Sequence, residues 1–469
     1  MKKTTLAVAM FAAFGHAPAS FAANWFQMQN YEAPGAPEYK FWGFIQPQYQ
    51  HNLGGAAAGL TGAPGARAYN GQIPVLNLVG PDLTSKDQGQ IFRFRPGLRG
   101  VMPGTDEKIN YFLLAELGNN AITENGSVNG VYNKRMGVMT DATVSLNYIP
   151  GARVRLGLGR LPVGEEAMLG EYAMDYINFT NVTDGLLNER FVTPYAVPAS
   201  AFAPAAGINM NGAKNQAGTL AGSVGAFRDT GVEVYDWFRK DMMEYNYAVM
   251  VSQGDGLNFN TANNPGNHDV TVRLQTSYLF GEGTGPKRED VTAYVWHQDG
   301  KRYFNGVNYD RLRQGVGLKY LHGPLRLGTE YIQGSGMIYM GPNPAFNQVM
   351  GGFVPVQLMA VESTNKASGY YLDAGWKFTE KLEVDLRFDS YDKMTNSLPD
   401  ERRLNTWTIG GQYFYGPGLR FSLNYAYRTA SVVNPGTAAA GPASIALNNA
   451  MNVLDATGNV FSAQMTYRW

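Results

Sequence analysis

The last eleven residues, Asn459 to Trp469, read NVFSAQMTYRW. Apolar or aromatic residues occupy every second position of this stretch, and polar residues occupy most of the positions between them. The first set is Phe461, Ala463, Met465, Tyr467 and Trp469, and the second set is Ser462, Gln464, Thr466 and Arg468. A period of two predicts a β-strand with one apolar and one polar face.

An aromatic residue at the very end of the chain distinguishes two environments for the apolar face. In a soluble sandwich that face would meet a core, whereas the closing strand of an outer-membrane barrel ends with aromatics at the lipid interface. We therefore predict that Tyr467 and Trp469 belong to an aromatic girdle and to the signal read by the barrel-assembly machinery. Arg468 then belongs to the inner wall.

The amino terminus predicts export. Lys2 and Lys3 precede an apolar run that is too short to span a membrane, and small residues surround Ala22. We predict a cleaved signal peptide at residues 1–22, a periplasmic segment at 23–38 and a barrel domain at 39–469.

Composition excludes several classes of function. The chain has 28 Tyr, 24 Phe and 56 Gly but no Cys, which suits a turn-rich all-β protein and removes disulfides and thiolate metal sites. The 38 basic residues equal the 38 acidic residues, so nothing suggests nucleic acid. We expect neither a metal nor a cofactor.

Fifteen further segments repeat the alternation of the last strand. Together with 459–469 they give sixteen predicted strands: 39–50, 91–102, 109–118, 140–149, 153–161, 229–238, 243–252, 268–280, 291–298, 309–321, 325–333, 367–378, 382–392, 403–414 and 419–429.

Connections between these strands alternate between short and long, and many outward rows are apolar, as in 370–378. A soluble array or propeller would not alternate so regularly. The predicted fold class is all-β: a 16-stranded antiparallel transmembrane β-barrel with short periplasmic turns and long outer loops.

Arginines are concentrated on the inner face of the early strands. In 91–102 the register places Phe92, Phe94 and Leu98 outside and Arg93, Arg95 and Arg99 inside. Arg153 and Arg155 join them, and only Glu116 and Asp141 are predicted nearby. Guanidinium groups bind oxyanions through paired hydrogen bonds, so these five residues are predicted to attract anions. Arg311 and Arg313 line the pore in the same way.

The longest interruption, Pro162 to Arg228, is the third long loop and is predicted to fold into the lumen. Glu165, Glu166 and Arg190 are its candidate constriction residues. The two glutamates would face the arginines across the pore, or else remain ordinary solvated loop charges.

Four landmarks resemble the phosphate-selective porin O and P family: GRLPVGEE at 159–166, FRDTGV at 227–232, NYAV at 246–249 leading to GDG at 254–256, and GYY at 369–371. The resemblance extends from about Tyr39 to Trp469. It implies sixteen-stranded trimeric porins whose third loop enters the channel.

The same resemblance implies that phosphate-binding members use lysines on inward loops, yet the loop from Pro162 to Arg228 contains only Lys214. Phosphate selectivity is therefore left open.

We expect a passive outer-membrane porin of a Gram-negative bacterium, embedded in lipid as a homotrimer. It would pass small anionic or neutral solutes, with a mild anion preference. Two alternatives remain: a barrel enzyme that hydrolyses lipids or peptides, and a sheath around an electron-transfer partner.

Overall fold

Antiparallel strands dominate this computed structural model, and sixteen of them close into one barrel. The structure describes residues 31–55, 87–120, 122–128, 131–134, 137–189, 227–254, 256–257, 268–281, 288–304, 307–338, 363–416, 418–436, 448, 451 and 454–469. The predicted signal peptide, Lys214 and Arg190 lie outside these residues.

The strands, in chain order, are β1 Lys40–Asn52, β2 Asp87–Val101, β3 Ile109–Glu116, β4 Glu124–Val128, β5 Val131–Lys134, β6 Val138–Leu146, β7 Arg153–Arg160, β8 Arg228–Lys240, β9 Met243–Ser252, β10 Asp269–Leu279, β11 Asp290–Phe304, β12 Val307–His322, β13 Leu325–Ser335, β14 Lys366–Lys377, β15 Leu382–Lys393, β16 Arg402–Gly416, β17 Leu419–Val432 and β18 Val460–Arg468.

Every predicted strand has a counterpart in the barrel, so the fold class is confirmed. Sequence neighbours pair around the wall, β3 pairs directly with β6, and β1 closes the barrel on β18. The sequence did not predict the hairpin formed by β4 and β5. This hairpin is a separate two-stranded sheet outside the barrel.

The seam between the first and last strands is closed by aromatic packing. The Trp469 ring lies 6.5 Å from that of Phe41, 6.2 Å from that of Phe94 and 6.1 Å from that of Tyr467. A Cβ added at Gly43 would lie 2.6 Å from Cζ2 of Trp469, so the indole needs a glycine beneath it. The backbone of Gly43 also exchanges both hydrogen bonds with Trp469.

The two faces of the wall differ as the alternation predicts. Outward side chains such as Leu372, Trp376 and Tyr427 are exposed, whereas inward arginines such as Arg95, Arg273 and Arg311 are almost fully buried. An exposed belt of aliphatic and aromatic residues around a polar interior is the surface of a transmembrane barrel. No described helix is long and apolar enough to cross a membrane.

The prediction for Phe92 is wrong, because this residue is buried rather than outward. The pairing of β1 with β2 shifts register at Pro47, so that Gln46 faces Arg93 while Pro47 faces Ile91. This bulge leaves Phe92 without a paired residue on β1 and turns its side chain to the inner side. Ile91 takes the outward position, and the Phe92 ring packs 4.6 Å from the guanidinium of Arg93.

Deletion of Trp469 should lower the yield of folded barrel, because the seam loses three ring contacts and two backbone hydrogen bonds. Heat-modifiable gel mobility after refolding measures this yield. Trp376→Ala, which removes an exposed aromatic away from the seam, serves as the control. Equal yields from the two variants would contradict a special role of the seam.

Candidate functional site: the loop-divided lumen

Residues 161–189 lie inside the barrel and contact its wall on several sides. The backbone N–H of Leu161 donates to Phe227 O, which joins the two ends of the third loop at 2.8 Å. The Asn181 side chain donates to Asp389 at 2.7 Å and to Thr406 at 2.9 Å. These contacts place one segment across the lumen, from the arginine-rich strands to β15 and β16.

The loop segment is built from three single turns separated by extended residues. They are an α-helical turn at Glu165–Met168, a 3₁₀ turn at Glu171–Ala173 and a π-helical turn at Thr183–Leu187. Apolar residues between and within these turns form a buried cluster with wall residues that include Trp296 and Ile332. Helix propensity alone does not stabilise such short turns, so we infer that the packing of this cluster stabilises them.

Glu171 is the most highly connected acid of the loop. Its carboxylate lies 2.7 Å from Nη1 of Arg95, 2.5 Å from Nη2 of Arg160 and 3.2 Å from Nη2 of Arg228. Burial alone would raise the pKa of Glu171, but the guanidiniums of Arg160, Arg95 and Arg228 hold that pKa well below its usual range. The carboxylate is therefore ionised at neutral pH and joins β2, β7 and β8.

Glu189 anchors the far end of the segment on β11 and β12. It pairs with Arg311, with Arg313 at 3.2 Å and with Arg302 at 3.4 Å. Its φ of 48° lies in the left-handed region, which non-glycine residues rarely adopt unless their surroundings enforce it. Three buried cations supply that enforcement.

Glu165 and Glu166 also pair with the wall, so neither is a solvated loop charge. Glu165 lies 3.1 Å from Arg273 and 3.0 Å from Lys319. Glu166 lies 3.0 Å from Arg387 on β15 and accepts from Thr180. The arginines that they face are not the predicted cluster but residues on β10 and β15.

Arg326, on β13, is surrounded by four carboxylates. It contacts Asp175 at 3.2 Å, Glu383 at 3.2 Å and Asp385 at 2.6 Å, and it pairs with Asp373 as well. Glu330, on the same strand, does not join this group and accepts from the Trp296 and Tyr371 side chains instead.

The predicted arginine cluster is neutralised more completely than the sequence indicated. Arg95 lies between Glu116 and Glu171, Arg99 pairs with Glu32, Arg153 with Asp236 and Arg155 with Glu233, while Arg93 donates to Gln46. The expectation that only Glu116 and Asp141 lie nearby is wrong. The additional acids come from the amino-terminal segment, β8 and the loop. Their pairing with these arginines cannot be predicted from local sequence, because the partners are far apart along the chain.

A different sector of the wall has basic residues but no acidic residue on its own strands. β16, β17, β18 and β1 are consecutive around the barrel, and none of these four strands contains Asp or Glu. Arg420, Arg428 and Arg468 lie on its inner side, and Lys40 lines a cavity there. Amides and hydroxyls fill the positions between: Gln46, Gln48, Gln50, Thr406, Thr408, Gln412, Ser422, Asn424, Ser462, Gln464 and Thr466. We call this sector the acid-free wall.

Two inward arginines of the acid-free wall, Arg420 and Arg428, donate hydrogen bonds to neutral groups. Arg420 donates to Gln412 Oε1 at 2.9 Å and to Tyr172 O at 3.1 Å. Arg428 donates to Gly458 O at 2.7 Å, and its Nη2 finds no hydrogen-bond partner in the described chain. Sequence reasoning did not select Arg428 as a site residue. The absence of acids from four strands was the available signal.

Two cavities border the loop segment. One, of about 410 Å³, is bounded by the ends of β1, β2, β3 and β18 and by residues 168–172. The other, of about 110 Å³, is bounded by Asp175, Lys319, Arg326 and Asp373. A third space, of about 20 Å³, lies between Asn178, Arg428 and Ser462 along the acid-free wall.

The described residues offer no cluster of three or more His, Asp or Glu that could hold a metal ion. Three of the histidines contact side chains near the outer surface: His51 meets Asp87, His297 meets Gln314 and His322 meets Glu289. These contacts give none of the three a serine to activate.

Comparison with known families gives this geometry its context. Residues 84–469 match the sequence profile described as phosphate-selective porin O and P. The chain belongs to this porin family. Three of the four landmarks of the sequence lie where the loop meets the wall: Arg160 and Arg228 bind Glu171, and a Cβ at Gly369 would lie 2.8 Å from Val182.

Solved structures that resemble this porin include the outer membrane channel DcaP of Acinetobacter baumannii, with 12% identity, a TM-score of 0.49 and coverage of 96% of this chain and 100% of that one. OmpF of Salmonella typhi, in complex with daunomycin, has 13% identity, a TM-score of 0.48 and coverage of 92% and 97%. The trimer form of OmpT from Vibrio cholerae has 10% identity, a TM-score of 0.46 and coverage of 92% and 99%. No curated protein sequence matches the chain.

Family membership and the closed sixteen-stranded barrel assign the protein to the outer membrane of a Gram-negative bacterium. It is a channel for passive diffusion.

Glu171→Gln should loosen the loop segment, because three buried arginines lose their shared carboxylate. Removing one partner of a buried ion pair costs about 3 to 5 kcal/mol. We expect faster proteolysis within 162–228 and larger current fluctuations in planar bilayers. Glu380→Gln, at an exposed turn pair, is the control. Wild-type proteolysis and current noise in Glu171→Gln would show that the loop is held elsewhere.

Proposed function

We propose that small hydrophilic solutes pass through the lumen under the influence of the acid-free wall, with a mild preference for anions. The observation that carries this proposal is the absence of Asp and Glu from four consecutive barrel strands whose inner side holds several cations. A low-dielectric wall focuses the field of such cations into the aqueous path.

Pairing supports this choice over the predicted arginine cluster. A guanidinium with a carboxylate at hydrogen-bond distance presents little net charge to a passing ion, whereas one bonded to amides or carbonyls keeps its positive field. Arg95, Arg153, Arg155, Arg311 and Arg313 are of the first kind, and Arg428 is of the second. We infer that the cluster anchors the loop and the amino-terminal segment.

Phosphate is one of the anions expected to pass rather than a preferred ligand. The sequence of the third loop offers only Lys214, and the described inward lysines include Lys319, which is paired with Glu165. Arginines spaced among neutral groups along a wall favour weak and repeated contact, which lets an ion leave as readily as it enters.

The turns and residues 31–38 lie at the same end of the barrel, which we assign to the periplasm. Glu32 pairs with Arg99, and Val101 N donates to Pro37 O at that end. We propose that residues 1–22 are removed on export, that 23–38 stay in the periplasm, and that Tyr467 and Trp469 are read during assembly. Mass spectrometry of the purified protein checks the cleavage.

We further propose a homotrimer, which family resemblance implies. The outward aromatics toward the loop end are concentrated on β13 to β18, including Tyr331, Tyr370, Trp407 and Tyr427. On β6 to β10 the same level carries Met139, Leu156, Val232, Val251 and Val270. Aromatics mark the lipid interface, so the aliphatic face is the one we assign to subunit contact. The mass of the detergent-solubilised complex tests the assignment.

Passive conduction explains the interior better than the two alternatives. The three surface histidines lack serine partners in the described chain, which leaves a hydrolase without support. A sheath needs room for a protein partner, but residues 161–189 occupy the lumen and the cavity beside them measures about 410 Å³.

The double variant Arg428→Gln, Arg468→Gln should lower the ratio of anion to cation permeability by about twofold or more, because two inward charges disappear. Reversal potentials in a KCl gradient across planar bilayers measure this ratio. Arg403→Gln, which removes an outward arginine paired with Asp392, is the control.

Failure to form conducting channels would refute the pore. Channels with unchanged selectivity in the double variant would refute the acid-free wall as the source of the preference.

A further inference from the structure

The cavity of about 410 Å³ at the turn end has a composition unlike that of a simple ionic path. Its volume is in the range of small-molecule sites, which is roughly 300–1,000 Å³. Aromatic side chains form much of its lining, and basic side chains stand at its edge. The aromatic members are Trp42, Phe44, Phe112, Tyr172 and Trp469, and the basic members include Lys40, Arg99 and Arg468. We call this space the aromatic vestibule.

Four rings of the vestibule are held in two pairs. Trp42 lies 5.1 Å from Phe112, and Phe44 lies 5.6 Å from Tyr172. Tyr172 belongs to the loop segment, so one ring of the second pair comes from the loop and the other from the wall. Rings at such distances form a rigid apolar surface at little entropic cost, because each has only two side-chain torsions to fix.

Cations stand beside these rings. The guanidinium of Arg99 lies 5.4 Å from the Phe112 ring, and that of Arg468 lies 5.5 Å from the Tyr172 ring. Lys40 and Arg468 are exposed, so both present their charge to water at the mouth of the cavity. Arg99 is half-buried and pairs with Glu32, whereas Lys40 and Arg468 are the exposed basic residues of the lining.

The acids that line the vestibule do not oppose this charge. Glu171 is shared by three arginines, and Asp141 pairs with Arg228 at 3.3 Å. The remaining surface combines flat apolar faces with positive charge at one side. A planar ring that carries one carboxylate matches both features: the ring packs on the aromatics and the carboxylate approaches the cations.

We propose that the aromatic vestibule is a binding site for aromatic monocarboxylates, which enter it from the turn end of the barrel. The inference rests on the proposed pore and specifies a class of solute for it. Small inorganic anions gain only the charge contact there, while an aryl carboxylate gains the ring contact as well.

Single-channel recording in planar bilayers tests this directly. The probes are sodium benzoate, sodium cyclohexanecarboxylate and sodium acetate, each added to one side at a time at equal concentration. Benzoate added at the turn end should interrupt the current for times about threefold longer than cyclohexanecarboxylate or acetate, which is the size expected of one ring contact. Benzoate at the loop end should act more weakly.

Variants of Tyr172 separate the ring from its hydroxyl. Tyr172→Leu should shorten the benzoate interruptions to those of cyclohexanecarboxylate, whereas Tyr172→Phe should retain them, because only the ring is needed. Arg468→Gln should reduce the frequency of interruption by all three carboxylates. Tyr427→Leu, on the exposed outer surface, should leave every interruption unchanged.

Heat-modifiable mobility confirms that each variant is folded before recording. Open channels that respond alike to benzoate and acetate overturn the vestibule site and leave the pore intact. Retention of the benzoate response in Tyr172→Leu also overturns it. Folded protein that forms no channels at all overturns the proposed pore, and this inference with it.

Discussion

Glu171 sits among Arg95, Arg160 and Arg228, and the rest of the interior depends on that arrangement. Its carboxylate comes from the loop, and its three partners come from the wall and from both ends of the loop itself. Charges removed from water in this way remain stable only when each is paired. The loop is therefore fixed where it neutralises the arginines, and the arginines are fixed where they hold the loop.

This constraint divides the wall into two kinds of surface. Glu165, Glu166, Asp175 and Glu189 repeat the role of Glu171 around the lumen, each bound to a cation of the wall. Opposite the acid-free wall the loop presents the backbone oxygens of Glu171 and Tyr172, which accept from Gln46 and Arg420. The loop therefore brings carboxylates to one part of the wall and neutral backbone groups to the acid-free wall.

Periodicity predicts the barrel because it follows from local geometry: successive residues of a strand face opposite sides. Sixteen strands and the inward direction of Arg468 follow from this alone. The error at Phe92 arises where the rule fails, at a bulge beside Pro47.

The ion pairs are beyond local pattern. Glu32 meets Arg99 across 67 residues, and Glu189 meets Arg311 across 122. The number of arginines therefore overstates the net positive charge of the predicted arginine cluster. The absence of Asp and Glu from β16 to β18 and β1 can be counted in the sequence, because it is a property of strand composition and does not depend on which residues are in contact.

Introduction of one acid into the acid-free wall tests most directly whether the preference for anions originates there. Gln464→Glu keeps the shape of a buried side chain that faces Gln48 and adds one negative charge to the wall. The measurement is the reversal potential of this variant in a roughly tenfold KCl gradient at low ionic strength, where screening is weakest. We expect the anion preference of the wild type to be abolished or reversed in Gln464→Glu. An unchanged reversal potential from a folded, conducting variant would contradict it.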